Sequence, residues 1–420
     1  MPDRKFLNRQ VFAWALYDWG NSAFALSVLA VLFPLFLGAY WSTGDPGAAV
    51  TSRLTWATAV ASVIVSLIAP IFGAIADSGG FRKRFLFIFA ILGALGTAAL
   101  SVVGEGGWLA ALVIYVVASI GYYGANVFYD SLIVDVCRPR HYSLVSSLGH
   151  ALGYFGGAIL LSLHVWMLYA PGSFGFENTN EVVRFAFISV GIWWAVFMTP
   201  LLLTVRESKL AQRVSGGSVR GAYRALQETF LKIRGYRNVF LFLAAYWFFI
   251  GGLFTVIFMA VNFGQRLGFS AQDLVTALLI TNFVGFPATL AYGYIGHRFG
   301  AKNAIYLGLG VYIVIVSWAA FLKDVGQFYA MSIIIGMVQG GVQGMSRSLY
   351  ASLIPVEHTG EFFGFYNMVT KFSHILGPVL VGVVAFMTDE PKFILVALLP
   401  MFVIGAILLM RVDTTQARID

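Results

Sequence analysis

Residues Gly73–Arg84 read GAIADSGGFRKR, a short, glycine-rich, basic stretch set between two long apolar runs. Residues Gly293–Lys302, GYIGHRFGAK, repeat it. Gly73 maps to Gly293, Gly80 to Gly300 and Arg82 to Lys302, all at one displacement of 220 residues. Each copy follows the second apolar run of its half. A chain that repeats its loop chemistry at half its length reads as two similar halves. In membrane proteins such halves pack around a substrate path.

Composition agrees. Of 420 residues 59% are hydrophobic and only 11% charged, with mean hydropathy +0.82. A soluble domain carries charge on about a quarter of its residues, so this is an all-α polytopic membrane protein whose partner is the lipid bilayer. The net charge of +8 does not require nucleic acid, because the basic residues gather in loops on one side. A single cysteine, Cys137, excludes an internal disulfide and a cysteine-rich metal site. The first apolar run contains Asp18 and is too long for a cleavable signal, so it is expected to remain as the first span.

A helix needs about 20 apolar residues to cross the hydrocarbon core. Twelve runs qualify: 11–40, 54–76, 84–104, 108–133, 144–170, 182–205, 238–263, 274–295, 302–321, 327–352, 362–387 and 393–411. With the N-terminus inside, twenty Lys and Arg residues fall in inside segments and five outside. Arg347 and Lys371 lie within spans. Both termini are therefore expected to be cytoplasmic. The expected units are a six-helix bundle at 1–205, a basic linker at 206–237 and a second six-helix bundle at 238–420. In the linker, Ser215–Ser218 (SGGS) reads as flexible. Val219, Ala222, Leu226, Phe230 and Ile233 then share a face, with Arg220, Arg224, Lys232 and Arg234 largely off it. That pattern predicts an amphipathic helix on an anionic membrane surface.

Charges inside spans are costly and mark function. Asp18 lies roughly 10 Å into the first helix, and Asn21, Ser22 and Ala25 share its face. In the fourth span Asn126 and Asp130 are four apart, near Tyr122 and Tyr129. In the tenth, Gln339, Gln343, Ser346 and Arg347 form a comparable polar face. Asp130 and Arg347 both lie within about two turns of the cytoplasmic end. Opposite charges at matched depth suggest a gate that closes by pairing. Lys371 is the deepest charge, about 15 Å beyond Glu361, flanked by Asn367 and His374. A buried lysine needs a carboxylate partner, a lowered pKa or an anionic substrate group. Contact between Asp18 and Lys371 is expected in at least one state. Pro34, Pro287 and Pro378 are candidate bending points. No P-loop ending in GK[ST], HExxH or GxSxG occurs, so no enzyme is expected.

The basic turns resemble the cytoplasmic motif between the second and third helices of the major facilitator superfamily and its echo between the eighth and ninth. Further stretches resemble the "unknown major facilitator" family, which includes the autophagy-related vacuolar effluxers. They are Tyr17–Phe24 (YDWGNSAF), Leu152–Gly157 (LGYFGG), Gly340–Ser348 (GGVQGMSRS) and Glu361–Asn367 (EFFGFYN), with Lys371 and Gly377-Pro378. The resemblance implies twelve transmembrane helices in two six-helix bundles and secondary transport by alternating access. Fungal members are linked to amino-acid export from the vacuole. One departure stands out: His297 occupies the place of Asp77 in the second turn. Asp77 is positioned to meet the start of the eleventh helix, and His297 cannot repeat that role with the same charge.

The expected function is secondary transport of a small polar solute, with amino-acid efflux as one form. The alternative is a non-transporting receptor or assembly factor on the same fold. Asp18, Asn21, Asn126, Gln343, Asn367 and Lys371 are the expected substrate-cavity residues. Asp77, Arg82, Asp130 and Arg347 are the expected gate. No cofactor or metal is expected, proton coupling through Asp18 remains open, and a monomer in the cell (inner) membrane is expected.

Overall fold

The computed structural model describes residues 7–207, 229–387 and 393–414. The first helix, α1, runs Arg9–Trp41. It is followed by α2 (Gly47–Gly79), α3 (Arg82–Ala99), α4 (Trp108–Ser131), α5 (Tyr142–Tyr169) and α6 (Thr179–Thr204). After the linker come α7 (Arg237–Arg266), α8 (Ala271–Phe299), α9 (Ala301–Ala319), α10 (Val325–Leu353), α11 (Thr359–Met387) and α12 (Leu399–Met410). Among the described residues ten of these, α1 to α10, are long and apolar enough to cross a membrane. The helix α11 has 29 residues and α12 only twelve, and neither is among the ten. Side chains such as Trp56, Leu203 and Phe321 are 70–80% exposed in the company of many other apolar residues. A surface this apolar is solvated by lipid, which makes this an integral multi-pass membrane protein.

Local sequence explains where helices begin and end. Asn8 caps α1 by accepting from the amides of Gln10 and Val11, each at 2.9 Å. Ser270 and Asp273 close a reciprocal capping box on α8. Gly80 and Gly300, the equivalent glycines of the two basic turns, both have positive φ, 64° and 91°. That conformation ends α2 and α8 without the strain a side chain would add. In α1, Phe24–Leu32 and Leu37–Trp41 are wound as wider π-helical turns on either side of Pro34. A proline lacks the amide proton and its ring crowds the preceding turn, so the regular ladder is interrupted there.

The packing repeats. Within the first six helices α1 packs on α5 and α6, α3 on α4 and α6, and α2 on α4. Adding six to each label gives the packing of the second set: α7 on α11 and α12, α9 on α10 and α12, and α8 on α10. The two sets meet through α5 with α8, α2 with α11, α5 with α10 and α4 with α11. These junctions also exchange in pairs under the same operation. The basic turns do equivalent work: Lys83 donates to the Val205 carbonyl after α6 at 2.6 Å, and Lys302 to the Val412 carbonyl after α12 at 2.7 Å.

The proposed amphipathic stripe at Val219, Ala222 and Leu226, with Arg220, Arg224 and Ser215–Ser218, lies outside the described residues. The described end of the linker, 229–235, is helical and lies against α11. Thr229 donates to Glu361, and the Lys232 ammonium sits 3.3 Å from both Glu361 oxygens.

Candidate functional site

Among the described residues, polar contacts between the two sets of helices gather towards the end carrying Gly80 and Gly300, here termed the turn end. At α2 and α11 a Cβ on Gly73 would collide with the Gly360 carbonyl oxygen. That close approach lets Asp77 reach the first turn of α11. Its two carboxylate oxygens accept from the Gly360 and Glu361 amides, each at 2.9 Å. An anion at a helix N-terminus satisfies amides that have no intrahelical acceptor. Arg82 stays on the first-half side of this contact. Its guanidinium lies 3.1 Å from Asp135, 3.3 Å from Glu207 and 3.9 Å from Asp77, and donates to the Ser131 carbonyl at 3.2 Å.

At the matching junction of α5 and α8, His297 replaces the acid. Its Nδ1 sits 3.0 Å from the Arg140 carbonyl oxygen, which can only accept, so the ring nitrogen donates. Asp77 therefore grips the amides opening α11, whereas His297 grips a carbonyl just before α5. The asymmetry expected from the sequence is a reversal of donor and acceptor.

Between these junctions lies a buried charge cluster centred on Arg347 of α10, only 3% exposed. Its Nη1 donates to Asp130 Oδ1 on α4 at 2.9 Å and stands 3.8 Å from Asp18 Oδ2 on α1. Its Nε donates to Ser146 Oγ at 2.9 Å and its Nη2 to the Ser146 carbonyl at 2.8 Å. Nη2 also lies 2.8 Å from His150 Nδ1. A guanidinium cannot accept, so that nitrogen carries no proton. The 3.1 Å approach of the same nitrogen to the Ser146 carbonyl is then no simultaneous hydrogen bond. The guanidinium also faces the rings of Trp14 and Tyr129, 4.8 and 5.2 Å from their centroids. Tyr129 stacks on Trp14 at 4.4 Å and donates to Asp18 Oδ2 at 3.0 Å. Asn367 of α11 completes the cluster by donating to Asp130 Oδ2 at 3.2 Å.

Asp130 and Arg347 are thus paired across the halves. Asp18 also finds its cation in Arg347; the contact expected with Lys371 is not formed in this conformation. Lys371 instead places its ammonium 3.1 Å from the Tyr123 ring centroid on α4. Asn21 donates to Asn126 Oδ1 at 2.6 Å, which holds α1 to α4 within the first half. Gln343 is half-buried, and among the described residues no hydrogen bond involves its side chain. Gln339, one turn away, donates to the Tyr154 hydroxyl of α5 at 3.0 Å. Ser143 and Ser348 meet at 3.0 Å, and Ser146 donates to the Gly344 carbonyl at 2.7 Å. These bonds line the turn end from Ser143 to Tyr154, roughly 17 Å along α5. The conformation is closed at that end.

Sequence reading missed Trp14, Tyr123, Ser146, His150 and Tyr154. Ser146 and His150 sit at i, i+4 on α5, a polar pair in an apolar run that was a usable signal. The aromatic residues carried none, because they are ordinary within a span.

The chain matches the family profile described as "Vacuole effluxer Atg22 like" over residues 46–141 and 137–420. It is 35% identical to the uncharacterized MFS-type transporter YxiO of Bacillus subtilis (strain 168), covering 96% of this chain and 95% of that one. It is 25% identical to Autophagy-related protein 22 of Coccidioides immitis (strain RS), covering 84% of this chain and 71% of that one. In fold it is similar to the human organic anion transporter MFSD10, with a TM-score of 0.72 at 14% identity over 95% of this chain and 98% of that one. Relatives and neighbours are transporters and not enzymes. The chain belongs to the vacuole effluxer Atg22-like family of major facilitator superfamily transporters.

Proposed function

We propose that this protein is a secondary transporter that moves a small polar solute by alternating access. The observation that carries the reading is the reach of Arg347 from α10 to Asp130 and Asp18 in the other half. Two largely buried carboxylates and one buried guanidinium hold the turn end shut, and that end can open only if they separate. Breaking a buried pair costs several kcal/mol unless something replaces the lost partner. A solute, a proton on Asp18, or new contacts in the open state would supply the replacement.

In this reading α1 to α12 all span the membrane, with bundles at 1–205 and 238–420 and a basic linker at 206–237. Both termini and the turn end face the cytoplasm, and the membrane is the cell (inner) membrane. Asp77, Arg82, Asp130 and Arg347 form the cytoplasmic gate. Asp18, Asn21, Asn126, Gln343, Asn367 and Lys371 border the solute path, and the protein acts as a monomer without a cofactor. The family description, vacuole effluxer Atg22 like, supports efflux as the direction; amino acids are candidate solutes through the resemblance given in the sequence analysis. The test is solute flux in proteoliposomes against an amino-acid and peptide library. Flux that Arg347→Ala abolishes supports transport. Binding without flux supports the receptor reading instead.

A further inference from the structure

Lys371 lies half-buried on α11, one turn past Asn367. Asn367 is tied to Asp130 in the closed cluster, so Lys371 stands immediately beyond the gate on the side away from the turns. Its ammonium contacts the face of Tyr123 at 3.1 Å. Among the described residues no carboxylate lies within ion-pair distance of it. The two carboxylates of the charge cluster are already engaged: Asp130 by Arg347 and Asn367, and Asp18 by Arg347 and Tyr129. A cation–π contact offers a charge some attraction but does not neutralise it. A cation this deep in a span ordinarily has an anionic partner.

We propose that Lys371 anchors a carboxylate of the transported solute, and that the Tyr123 ring holds the ammonium between cargoes. This rests on the transporter reading above and narrows it. In the gate-closed conformation the site offers one uncompensated positive charge and no free carboxylate. An acidic group on the solute is therefore required, whereas an amino group is optional and has only neutral acceptors to meet. No bond is made or broken; the carboxylate replaces a ring face as the ammonium's neighbour.

The test uses full-length protein in proteoliposomes and sets of solutes sharing one skeleton, each as the amino acid, its primary amide, the deaminated acid and the decarboxylated amine. The leucine series is one such set. Wild type is expected to move the members bearing a free carboxylate and to discriminate at least tenfold against their amides and amines. Lys371→Met is expected to lose carboxylate flux at least tenfold, and Lys371→Arg to keep part of it with the same preference. Thermal unfolding in detergent checks the fold, and if Lys371→Met does not fold, the preference retained by Lys371→Arg carries the test. Equal flux of acids and amides, or normal carboxylate flux in folded Lys371→Met, overturns the inference and leaves transport standing. No flux of any solute by wild type overturns transport and this inference together.

Discussion

Arg347 shows why this position holds arginine and not lysine. Its fork addresses Asp130, the Ser146 hydroxyl and carbonyl, and His150 at once, while its central carbon lies over two aromatic rings. A lysine ammonium has three donors and no planar fork. Removing one partner of a buried ion pair costs about 3–5 kcal/mol, so Arg347→Ala is expected to open the turn end. The readout is thiol labelling of Ser131→Cys on a Cys137→Ser background. Ser131 is fully buried, and its labelling rate should rise more than tenfold; an unchanged rate counts against the gate. Asp18→Asn keeps the volume and loses the charge. It is expected to cut flux at least tenfold while the melting temperature in detergent changes little. Normal flux in this variant would remove Asp18 from the mechanism.

At the level of elements, α2 with α11 and α5 with α8 are equivalent junctions fastened by opposite chemistry. Asp77 accepts two amides at a helix N-terminus, an arrangement worth about 0.3–1 kcal/mol from charge alone when exposed and more when partly buried. Asp77→Asn retains one acceptor and should raise labelling at Ser131→Cys by a few fold, less than Arg347→Ala. The informative substitution is His297→Asp. By sequence it restores the acid of the first turn and ought to strengthen the second. In the structure it faces the Arg140 carbonyl, so two acceptors would confront each other. We expect His297→Asp to lower the melting temperature and to increase opening. A stabilised variant would show that the α5 junction rearranges to present donors.

For the whole molecule, the repeat of packing partners shows how one chain builds two equivalent sets of helices. Each set of six helices keeps its own contacts, and among the described residues the halves meet mainly through four helix pairs. Such an arrangement permits rocking about the junctions without unfolding either set. Ser143 and Ser348, 3.0 Å apart across the halves, report on that motion. The double variant Ser143→Cys/Ser348→Cys, again without Cys137, is expected to cross-link under mild oxidation. The bond should block flux, and reductant should restore it. Undiminished flux in the cross-linked protein would show that this end need not open.

The amino-acid sequence by itself determined the membrane class, the long apolar runs, their recurrence at half the chain length and the place of each charge along its run. These depend on local quantities: apolar run length, residue spacing and the rise of a helix. The pairing of Asp130 with Arg347 was also legible, since matched depth limits which charges can meet. Depth does not specify how each helix is rotated or which neighbour it crosses. Asp18 therefore pairs with Arg347 and not Lys371, and Lys371 rests on Tyr123. The reversed polarity at His297 is likewise a property of the assembled junction. Rotation and crossing are set by packing among twelve helices together, which is why only the tertiary structure decided the partners of these charges.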